Sequence, residues 1–229
     1  MVLVAENLTK IQSTIQTACD KSKRDQNEVT IIGVTKYVTI ERTEEAIQAT
    51  IENLGENRLE GFQEKYNHFK DRVKWHFIGT LQSRKVKDVI DKVDFIHSLD
   101  RKSLAKEIDK RSARPIDCFI QVNVSGEQSK HGIALDDVES FTSSLRSYSN
   151  IRVVGLMTMA PHTDDDEVIR QTFQSLREKR DQIRNKNEPH APCSFLSMGM
   201  SNDYGIAIEE GATHIRIGSK LVGSKTSEV

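Results

Sequence analysis

The sequence predicts an α/β protein, a single (β/α)8 TIM barrel with an extra N-terminal helix. Apolar, strand-like runs alternate with amphipathic helical stretches from one end of the chain to the other, which is typical of a parallel sheet. No GxGxxG motif follows the first strand, and this disfavours an open dinucleotide-binding sheet. The 229 residues contain no linker, low-complexity tract or break in composition, so residues 1–229 are predicted to form one domain.

The predicted elements follow one another along the chain. The opening helix, Val4–Lys23, carries an apolar face made of Leu8, Ile11, Ile15 and Ala18. Runs rich in Val, Ile and Phe predict eight strands, at Val29–Thr35, Ile51–Leu54, Lys74–Ile78, Phe95–Ser98, Ile116–Val124, Ile151–Met157, Phe195–Met198 and His214–Ile217. Amphipathic stretches predict the helices between them, at Thr43–Ala49, Leu59–Phe69, Arg84–Val93, Lys102–Ser112, Leu135–Ser147, Asp165–Lys186 and Tyr204–Glu210.

Residue type marks the ends of three of these helices. Thr43 is predicted to cap the second helix, because a threonine oxygen can accept a hydrogen bond from the first turn. The acidic run 164–166 is interpreted as a helix N-terminus rather than a metal site, because aspartate strongly favours such positions. Gly211 is predicted to close the helix that begins at Tyr204.

The composition excludes several classes of partner. Lys and Arg number 33 against 34 Asp and Glu, so a net charge of −1 offers no electrostatic footprint for nucleic acid or an anionic membrane. No apolar run is long enough to span a bilayer, and the N-terminus lacks the pattern of a secretory signal. Cys19, Cys118 and Cys193 form neither a disulfide framework nor a metal-binding spacing, which fits a cytoplasmic protein without a metal site.

Polar residues and glycines recur where the predicted strands end. In a TIM barrel these carboxyl ends form one rim, and functional groups cluster there. The rim positions include Lys36, Asn57, His76, His97, Met157, Ser197, Ser201, Asp203, Arg216, Gly218 and Ser219. Because the loops after strands seven and eight commonly bind phosphate in such barrels, Ser201, Gly218 and Ser219 predict a phosphate site.

Lys36 ends an apolar strand, in the stretch VTIIGVTKYVT. Its side chain could simply reach water, but across the rim from a phosphate site its amine can form a Schiff base with a phosphorylated carbonyl compound. Enclosure in the barrel mouth, with Arg216 nearby, is expected to lower the pKa of Lys36. On these residues alone, a cofactor-free aldolase acting on a phosphosugar is also consistent, with His76 as its acid or base.

Seven stretches, spread over nearly the whole chain, resemble a known family. They are VTIIGVTKYVT, LGENRLEGFQEK, WHFIGTLQSRKVK, IHSLD, FIQVNVSGEQSKHGI, VVGLMTMAP and LSMGMSNDYGIAIEEGATHIRIG. In this order they resemble the pyridoxal 5'-phosphate (PLP) homeostasis protein family. Its members are single-domain proteins similar to the N-terminal barrel domain of alanine racemase, the fold type III class.

The resemblance implies a cofactor and the residues that hold it. Lys36 is implied to carry PLP as an internal aldimine, which is a covalent Schiff base. Ser201, Gly218 and Ser219 are implied to hold the phosphate, with Ser197 nearby; Arg216 is implied to face the pyridine nitrogen, and Asn57, His76 and Met157 to line the ring. Family members often end RIGTAIFG where this chain has RIGSKLVG, but Ser219 keeps a hydroxyl group at the usual threonine position.

The position that the resemblance implies for Arg216, facing the pyridine nitrogen, argues against efficient catalysis. A guanidinium cannot accept a proton from the pyridine nitrogen, so that nitrogen stays neutral and the ring is a weaker electron sink. The chain ends soon after Arg216, so we expect no second domain of the kind that supplies the opposing tyrosine base in racemases of this fold type. Tyr37 is expected to point away from Lys36, because neighbouring strand residues face opposite sides.

The favoured hypothesis is therefore a cytoplasmic PLP carrier or buffer in vitamin B6 homeostasis, with little or no catalytic turnover. It is expected to be a monomer, and apo forms of PLP-dependent enzymes are candidate recipients of the cofactor. A PLP-dependent amino-acid racemase is the alternative, and the Schiff-base aldolase is less favoured.

Overall fold

Eight parallel strands close into a barrel, as predicted, in a computed structural model that describes residues 3–127 and 131–223. The barrel strands are β1 (Thr30–Val34), β2 (Asn53–Glu56), β3 (Lys74–Phe77), β4 (Phe95–Leu99), β5 (Ile116–Asn123), β7 (Ile151–Met157), β8 (Phe195–Met200) and β9 (His214–Ile217). A short additional strand, β6 (Ile133–Ala134), pairs with the carboxyl end of β5.

The barrel closes between β4 and β5. Neighbouring strands follow the order β4-β3-β2-β1-β9-β8-β7-β5, and β4 also pairs with β5, where Ile96 lies opposite Cys118. All of these pairings are parallel. The carboxyl ends of the eight strands therefore meet at one rim, which is where barrels of this kind assemble their functional groups.

Helices cover the outside of the barrel. They are α1 (Val4–Ser22), α2 (Ile40–Gln48), α3 (Leu59–Phe69), α4 (Lys102–Arg111), α5 (Val138–Ser144), α6 (Asp166–Arg184), α7 (Tyr204–Glu209) and α8 (Ser219–Val222). The apolar face of α1, which includes Leu8, Ile11 and Ile15, is buried, and the helix packs against α7 and α8. The extra N-terminal helix that the sequence predicts is therefore present, and its apolar face contributes to the hydrophobic core.

The barrel interior contains buried polar side chains as well as apolar ones. His76, His97, Ser197 and Arg216 are each no more than 5 % exposed. His97 on β4 is hydrogen-bonded to Ser197 on β8, and because these strands are not neighbours the bond crosses the inside of the barrel. A buried polar group is costly unless it is hydrogen-bonded, so this cluster constrains the interior more tightly than apolar packing alone would.

Three predicted helices differ from the observed ones. The second helix begins at Ile40 with Thr39 as its cap, so the prediction of Thr43 as the cap is wrong; Thr43 lies within α2 and its hydroxyl donates to the Thr39 carbonyl. The predicted helix Arg84–Val93 is instead a 3₁₀ segment, Ser83–Asp88, followed by turns. The predicted helix Leu135–Ser147 begins with a 3₁₀ turn, and its α-helical part is α5.

The interpretation of the acidic run is confirmed. Asp165 caps α6, and its carboxylate accepts hydrogen bonds from the backbone N–H groups of Glu167 and Val168. Gly211 follows α7 with a φ of +97°, the left-handed conformation expected after a helix. The sequence analysis did not include α8 or β6, which are four and two residues long.

The three cysteines are buried in the structure, and the helices of the described residues are too short or too polar to cross a membrane. Cys19, Cys118 and Cys193 are all free and buried. Burial raises the pKa of the Cys193 thiol to about 12, so this thiol stays protonated at neutral pH. No helix among the described residues has both the length and the apolar character that a membrane span requires.

Gly155 on β7 lies directly against the backbone of the neighbouring strand β8. A Cβ atom at this position of β7 would lie 2.2 Å from the Phe195 carbonyl oxygen of β8 and 2.9 Å from the Phe119 ring. The backbone of a paired strand cannot move aside cheaply, so we expect Gly155→Ala to lower the free energy of unfolding by about 3 kcal/mol. Urea titration followed by the fluorescence of Trp75 measures this loss.

Gly205→Ala is the matched control for Gly155→Ala. Gly205 lies in α7, and a Cβ atom there would meet only the Thr14 methyl group, at an ordinary 3.7 Å. Alanine is a better helix former than glycine by about 1 kcal/mol, so this variant should be as stable as the wild type or more stable. Equal stability losses in the two variants would contradict a steric cause at Gly155.

Candidate functional site

Lys36 lies in an exposed turn directly beyond the end of β1. The strand ends at Val34, and the Lys36 Nζ atom is 4.8 Å from the centre of the Tyr37 ring. The expected enclosure of Lys36 is therefore wrong for this structure. The strand-alternation argument for Tyr37 is wrong too, because both residues follow the strand and the ring packs beside the amine.

A buried ion pair between Glu56 and Lys65 anchors the residue that precedes this turn. Thr35 is fully buried, and its hydroxyl donates to Glu56 Oε1 at 2.6 Å. Lys65 Nζ on α3 lies 3.1 Å from the same oxygen. Burial raises the pKa of Glu56, while Lys65 and the Thr35 hydroxyl oppose that rise. The residue next to Lys36 is thereby fixed to both β2 and α3.

Arg216 is held at the inner face of the rim by two hydrogen bonds. Its Nη1 donates to Ser197 Oγ at 2.6 Å, and its Nη2 donates to the Thr158 carbonyl at 2.9 Å. Burial lowers the pKa of Arg216 to about 10, and the nearby Asp203 opposes this shift. Arg216 thus remains positively charged at neutral pH, and its planar guanidinium is fixed in one orientation.

The loops after β8 and β9 lie side by side, as the sequence predicts. The Ser201 hydroxyl accepts a hydrogen bond from the Lys220 backbone N–H across the two loops, at 3.4 Å. Asp203 shapes the first loop, because its carboxylate accepts from the Met200 N–H at 2.5 Å. Burial raises the Asp203 pKa, and the Met200 N–H and the charge of Arg216 oppose that rise.

The remaining rim residues follow the ends of β9 and β2. Gly218 precedes α8 without a side-chain cap, and Ser219, the first residue of that helix, is exposed. Asn57 follows β2, and its Oδ1 atom is buried without a hydrogen-bond partner in the described chain. A buried amide oxygen without a partner is uncommon and marks a place where a ligand or water can bind.

Three sequence-predicted residues lie deeper than expected. His76 is fully buried inside the barrel, between Asn53 Oδ1 at 3.0 Å and His97 Nε2 at 2.9 Å. Met157 is 2 % exposed and packs with the Phe119 ring. Ser197 is fully buried and bonded to His97 and Arg216, so its hydroxyl is engaged there and not at the phosphate loops.

Sequence reasoning did not assign a role to several residues that contact this site. Thr35, Asn53 and Lys65 were not singled out at all, whereas His97 and Asp203 were expected at the rim without an individual role. A signal for His97 was present, because this residue lies at the carboxyl end of the predicted fourth strand, where functional groups cluster in a barrel. Nothing comparable in the sequence indicates that Lys65 pairs with Glu56.

Comparison with known proteins identifies the family. The family model described as alanine racemase, N-terminal domain, matches residues 4–226. A protein of Aquifex aeolicus named pyridoxal phosphate homeostasis protein is 41 % identical over 224 residues, which cover 96 % of this chain and 97 % of that protein. This chain belongs to the PLP homeostasis protein family. The Escherichia coli K12 protein of the same name is 32 % identical, with 97 % of each chain covered.

Solved structures agree with this assignment. PipY of Synechococcus elongatus, determined with PLP bound, superposes with a TM-score of 0.84 at 28 % identity, covering 96 % of this chain and all of that one. Alanine racemase from Corynebacterium glutamicum superposes with a TM-score of 0.74 at 12 % identity. That match covers 98 % of this chain and 62 % of the racemase, and it shows the shared barrel fold.

Proposed function

We propose that this protein binds PLP at the carboxyl-terminal rim of its barrel and acts as an intracellular carrier or buffer of the cofactor. The observation that carries the proposal is the fixed cationic group at the rim. Arg216 is buried, charged and held by Ser197 and Thr158, while the amine of Lys36 stands at the end of the neighbouring strand β1. Relatives that cover nearly the whole chain are named for PLP homeostasis.

Three features of the rim residues support PLP as the ligand. Asn57 keeps a buried oxygen atom without a partner, so it has spare hydrogen-bonding capacity. Ser201 and the uncapped start of α8 at Gly218 and Ser219 offer a hydroxyl group and backbone N–H groups, which suit a phosphate. PLP, when bound, supplies an aldehyde that reacts with amines and a ring that withdraws electrons.

Each rim residue then has a specific task. Lys36 Nζ binds the cofactor covalently, and the Thr35–Glu56–Lys65 contacts hold the turn that carries it. Arg216 would be the hydrogen-bond donor for the pyridine nitrogen, and because a guanidinium cannot accept a proton, that nitrogen would stay neutral. Ser201, Gly218 and Ser219 hold the phosphate. We assign His76 and Met157 to the buried support beneath the ring.

The exposure of Lys36 favours a carrier. A covalently held cofactor can be exchanged with solution or with an apo-enzyme only if its attachment point is accessible, and the Lys36 turn is exposed. The aldolase hypothesis requires His76 as an acid or base, yet His76 is buried inside the barrel with both ring nitrogens hydrogen-bonded. We propose in addition that the protein is a cytoplasmic monomer of one domain that can deliver PLP to apo-enzymes.

Lys36→Ala tests the proposal directly. We expect the wild-type protein, purified or reconstituted with PLP, to show a visible absorption band and to give a borohydride-reduced adduct on the peptide that contains Lys36. The variant should lose both signals completely, because no amine remains at that position. Lys10→Ala, which removes an exposed lysine on α1, is the control and should keep both.

Two further outcomes separate the alternatives. Exchange of the α-proton of amino acids with deuterated solvent, in the wild type and not in Lys36→Ala, would support a racemase over a carrier. A colourless wild type that cannot be reconstituted, but is trapped by borohydride with a sugar phosphate, would support the aldolase and overturn PLP binding.

A further inference from the structure

A continuous chain of hydrogen bonds crosses the inside of the barrel beneath Arg216. Arg216 Nη1 is 2.6 Å from Ser197 Oγ, which is 2.9 Å from His97 Nδ1. His97 Nε2 is 2.9 Å from His76 Nδ1, and His76 Nε2 is 3.0 Å from Asn53 Oδ1. The chain joins β9, β8, β4, β3 and β2, and it starts at the proposed cofactor site.

Only one direction of donation satisfies every member of this chain. The guanidinium can only donate, so Ser197 Oγ accepts from Arg216 and its own proton goes to His97 Nδ1. A neutral His97 then carries its proton on Nε2 and donates to His76 Nδ1. His76 in turn carries its proton on Nε2 and donates to the Asn53 carbonyl oxygen. Reversing the two histidines would make His97 donate to Ser197 and leave the serine proton without its acceptor.

The surroundings keep both imidazoles neutral and restrict their rotation. Burial lowers the pKa values of His76 and His97 well below the ordinary value. His214 lowers the pKa of His76 further, and His76, Arg216 and His214 lower the pKa of His97 further. The His76 ring stacks on Phe95 with centroids 4.4 Å apart, and the His97 ring stacks on Phe119 at 4.2 Å. Each ring therefore presents one fixed acceptor and one fixed donor.

We propose that His97, fixed as its Nε2–H tautomer by His76, is a positioning residue that sets the orientation of Arg216 through Ser197. His97 Nδ1 accepts a hydrogen bond from the Ser197 hydroxyl, and this orients a lone pair of Ser197 Oγ toward Arg216 Nη1. The Thr158 carbonyl accepts from Arg216 Nη2 and fixes the other side of the guanidinium. The guanidinium plane is thereby set from inside the barrel before any ligand arrives. The orientation of Arg216 toward a pyridine nitrogen rests on the proposed function, whereas the tautomers are a property of the protein alone.

Nitrogen NMR of the isotope-labelled full chain, without added cofactor, tests the tautomers. We expect His76 and His97 both to be neutral at pH 7 with the proton on Nε2 and an unprotonated Nδ1. A proton on Nδ1 of either ring, or a charged imidazolium, would overturn the proposal. This measurement needs no variant, so it does not depend on whether a substitution at the barrel centre folds.

Two substitutions at His97 then test the link to Arg216. His97→Phe removes the acceptor for Ser197, and His97→Gln restores an acceptor and a donor on one amide group. We expect the Arg216 side-chain N–H signals to broaden and exchange faster in the phenylalanine variant and to recover in the glutamine variant. PLP affinity should fall about tenfold or more in His97→Phe, since Arg216 is no longer oriented before the cofactor binds, and should recover in His97→Gln.

His68→Phe, at an exposed position on α3, is the control and should change neither readout. Unchanged Arg216 signals in a folded His97→Phe variant would overturn the positioning role. If the tautomers and the Arg216 signals behave as expected while the wild type fails to bind PLP, the positioning of Arg216 stands and the proposed function fails.

Discussion

Replacing Lys65 with methionine is expected to lower the free energy of unfolding by about 3–5 kcal/mol, the cost of leaving a buried charge unpaired. Lys65 and Glu56 are 4 % and 1 % exposed in their side chains, and their charged atoms are 3.1 Å apart. Methionine preserves most of the volume of lysine, so the loss reports the charge and not a cavity. Urea titration followed by the fluorescence of Trp75 gives the value.

A double variant distinguishes charge from packing. In Lys65→Met combined with Glu56→Gln no buried charge remains, and the glutamine oxygen still accepts from the Thr35 hydroxyl. We expect the double variant to be clearly more stable than Lys65→Met alone, because neither partner is left uncompensated. If the double variant loses as much stability as the single variant, the ion pair is not the cause of the effect.

The same pair links stability to the proposed site. Thr35 is bonded to Glu56 and immediately precedes Lys36, so displacement of Glu56 disturbs the turn that carries the amine. We therefore expect Lys65→Met to weaken PLP retention even under conditions where the variant is fully folded. The double variant should recover retention along with stability, since it restores the contact with Thr35.

Periodicity and residue type predict most of the barrel. The strand Ile151–Met157 and the helix Leu59–Phe69 agree with the structure at both ends. The predicted helix Arg84–Val93 is instructive because its apolar positions, Val86, Val89, Ile90 and Val93, are indeed buried. A 3₁₀ segment followed by turns buries the same side chains, so periodicity predicts burial here but not the type of helix.

The sequence predicts which residues lie at the rim of the candidate site, but it does not predict the contacts inside the barrel beneath them. Barrel order alone places Lys36, Ser201 and Arg216 at strand ends, which made them visible in the sequence. The contact between His97 and Ser197 joins residues 100 positions apart on strands that are not neighbours. That contact depends on strand register across the barrel, and no local pattern in the sequence encodes it. The exposure of Lys36 depends similarly on the conformation of the turn that follows β1, which the strand pattern does not predict.

Acid is expected to destabilise the fold steeply between about pH 6.5 and pH 4, through the three histidines that the barrel buries. His76, His97 and His214 are at most 6 % exposed. Burial lowers the pKa of His214 to about 4, and the charge of Arg216 adds to this shift. The pKa values of His76 and His97 are lowered well below 6.5 by burial, with smaller contributions from His214 to both and from Arg216 to His97.

Proton uptake by the three histidines explains why acid lowers the free energy of unfolding. As pH falls below about 6.5 these histidines become protonated in the unfolded chain but stay neutral in the folded one, so the unfolded state binds more protons and stability decreases. Each histidine contributes up to about 1.4 kcal/mol per pH unit, and the three together up to about 4 kcal/mol per pH unit. Urea titrations at half-unit steps from pH 7 to about pH 5 measure this slope while most carboxylates remain ionised.

His214→Gln isolates one of the three contributions. His214 lies at the start of β9, away from the rim, and its Nδ1 contacts the Thr213 hydroxyl at 2.9 Å. The variant should be less stable at pH 7 but should lose stability more slowly as the pH falls, by up to about 1.4 kcal/mol per pH unit. His68→Gln, at an exposed position, should leave the slope unchanged. An unaltered slope in His214→Gln would mean that this ring accepts a proton inside the fold, and that the barrel interior tolerates charge beside Arg216.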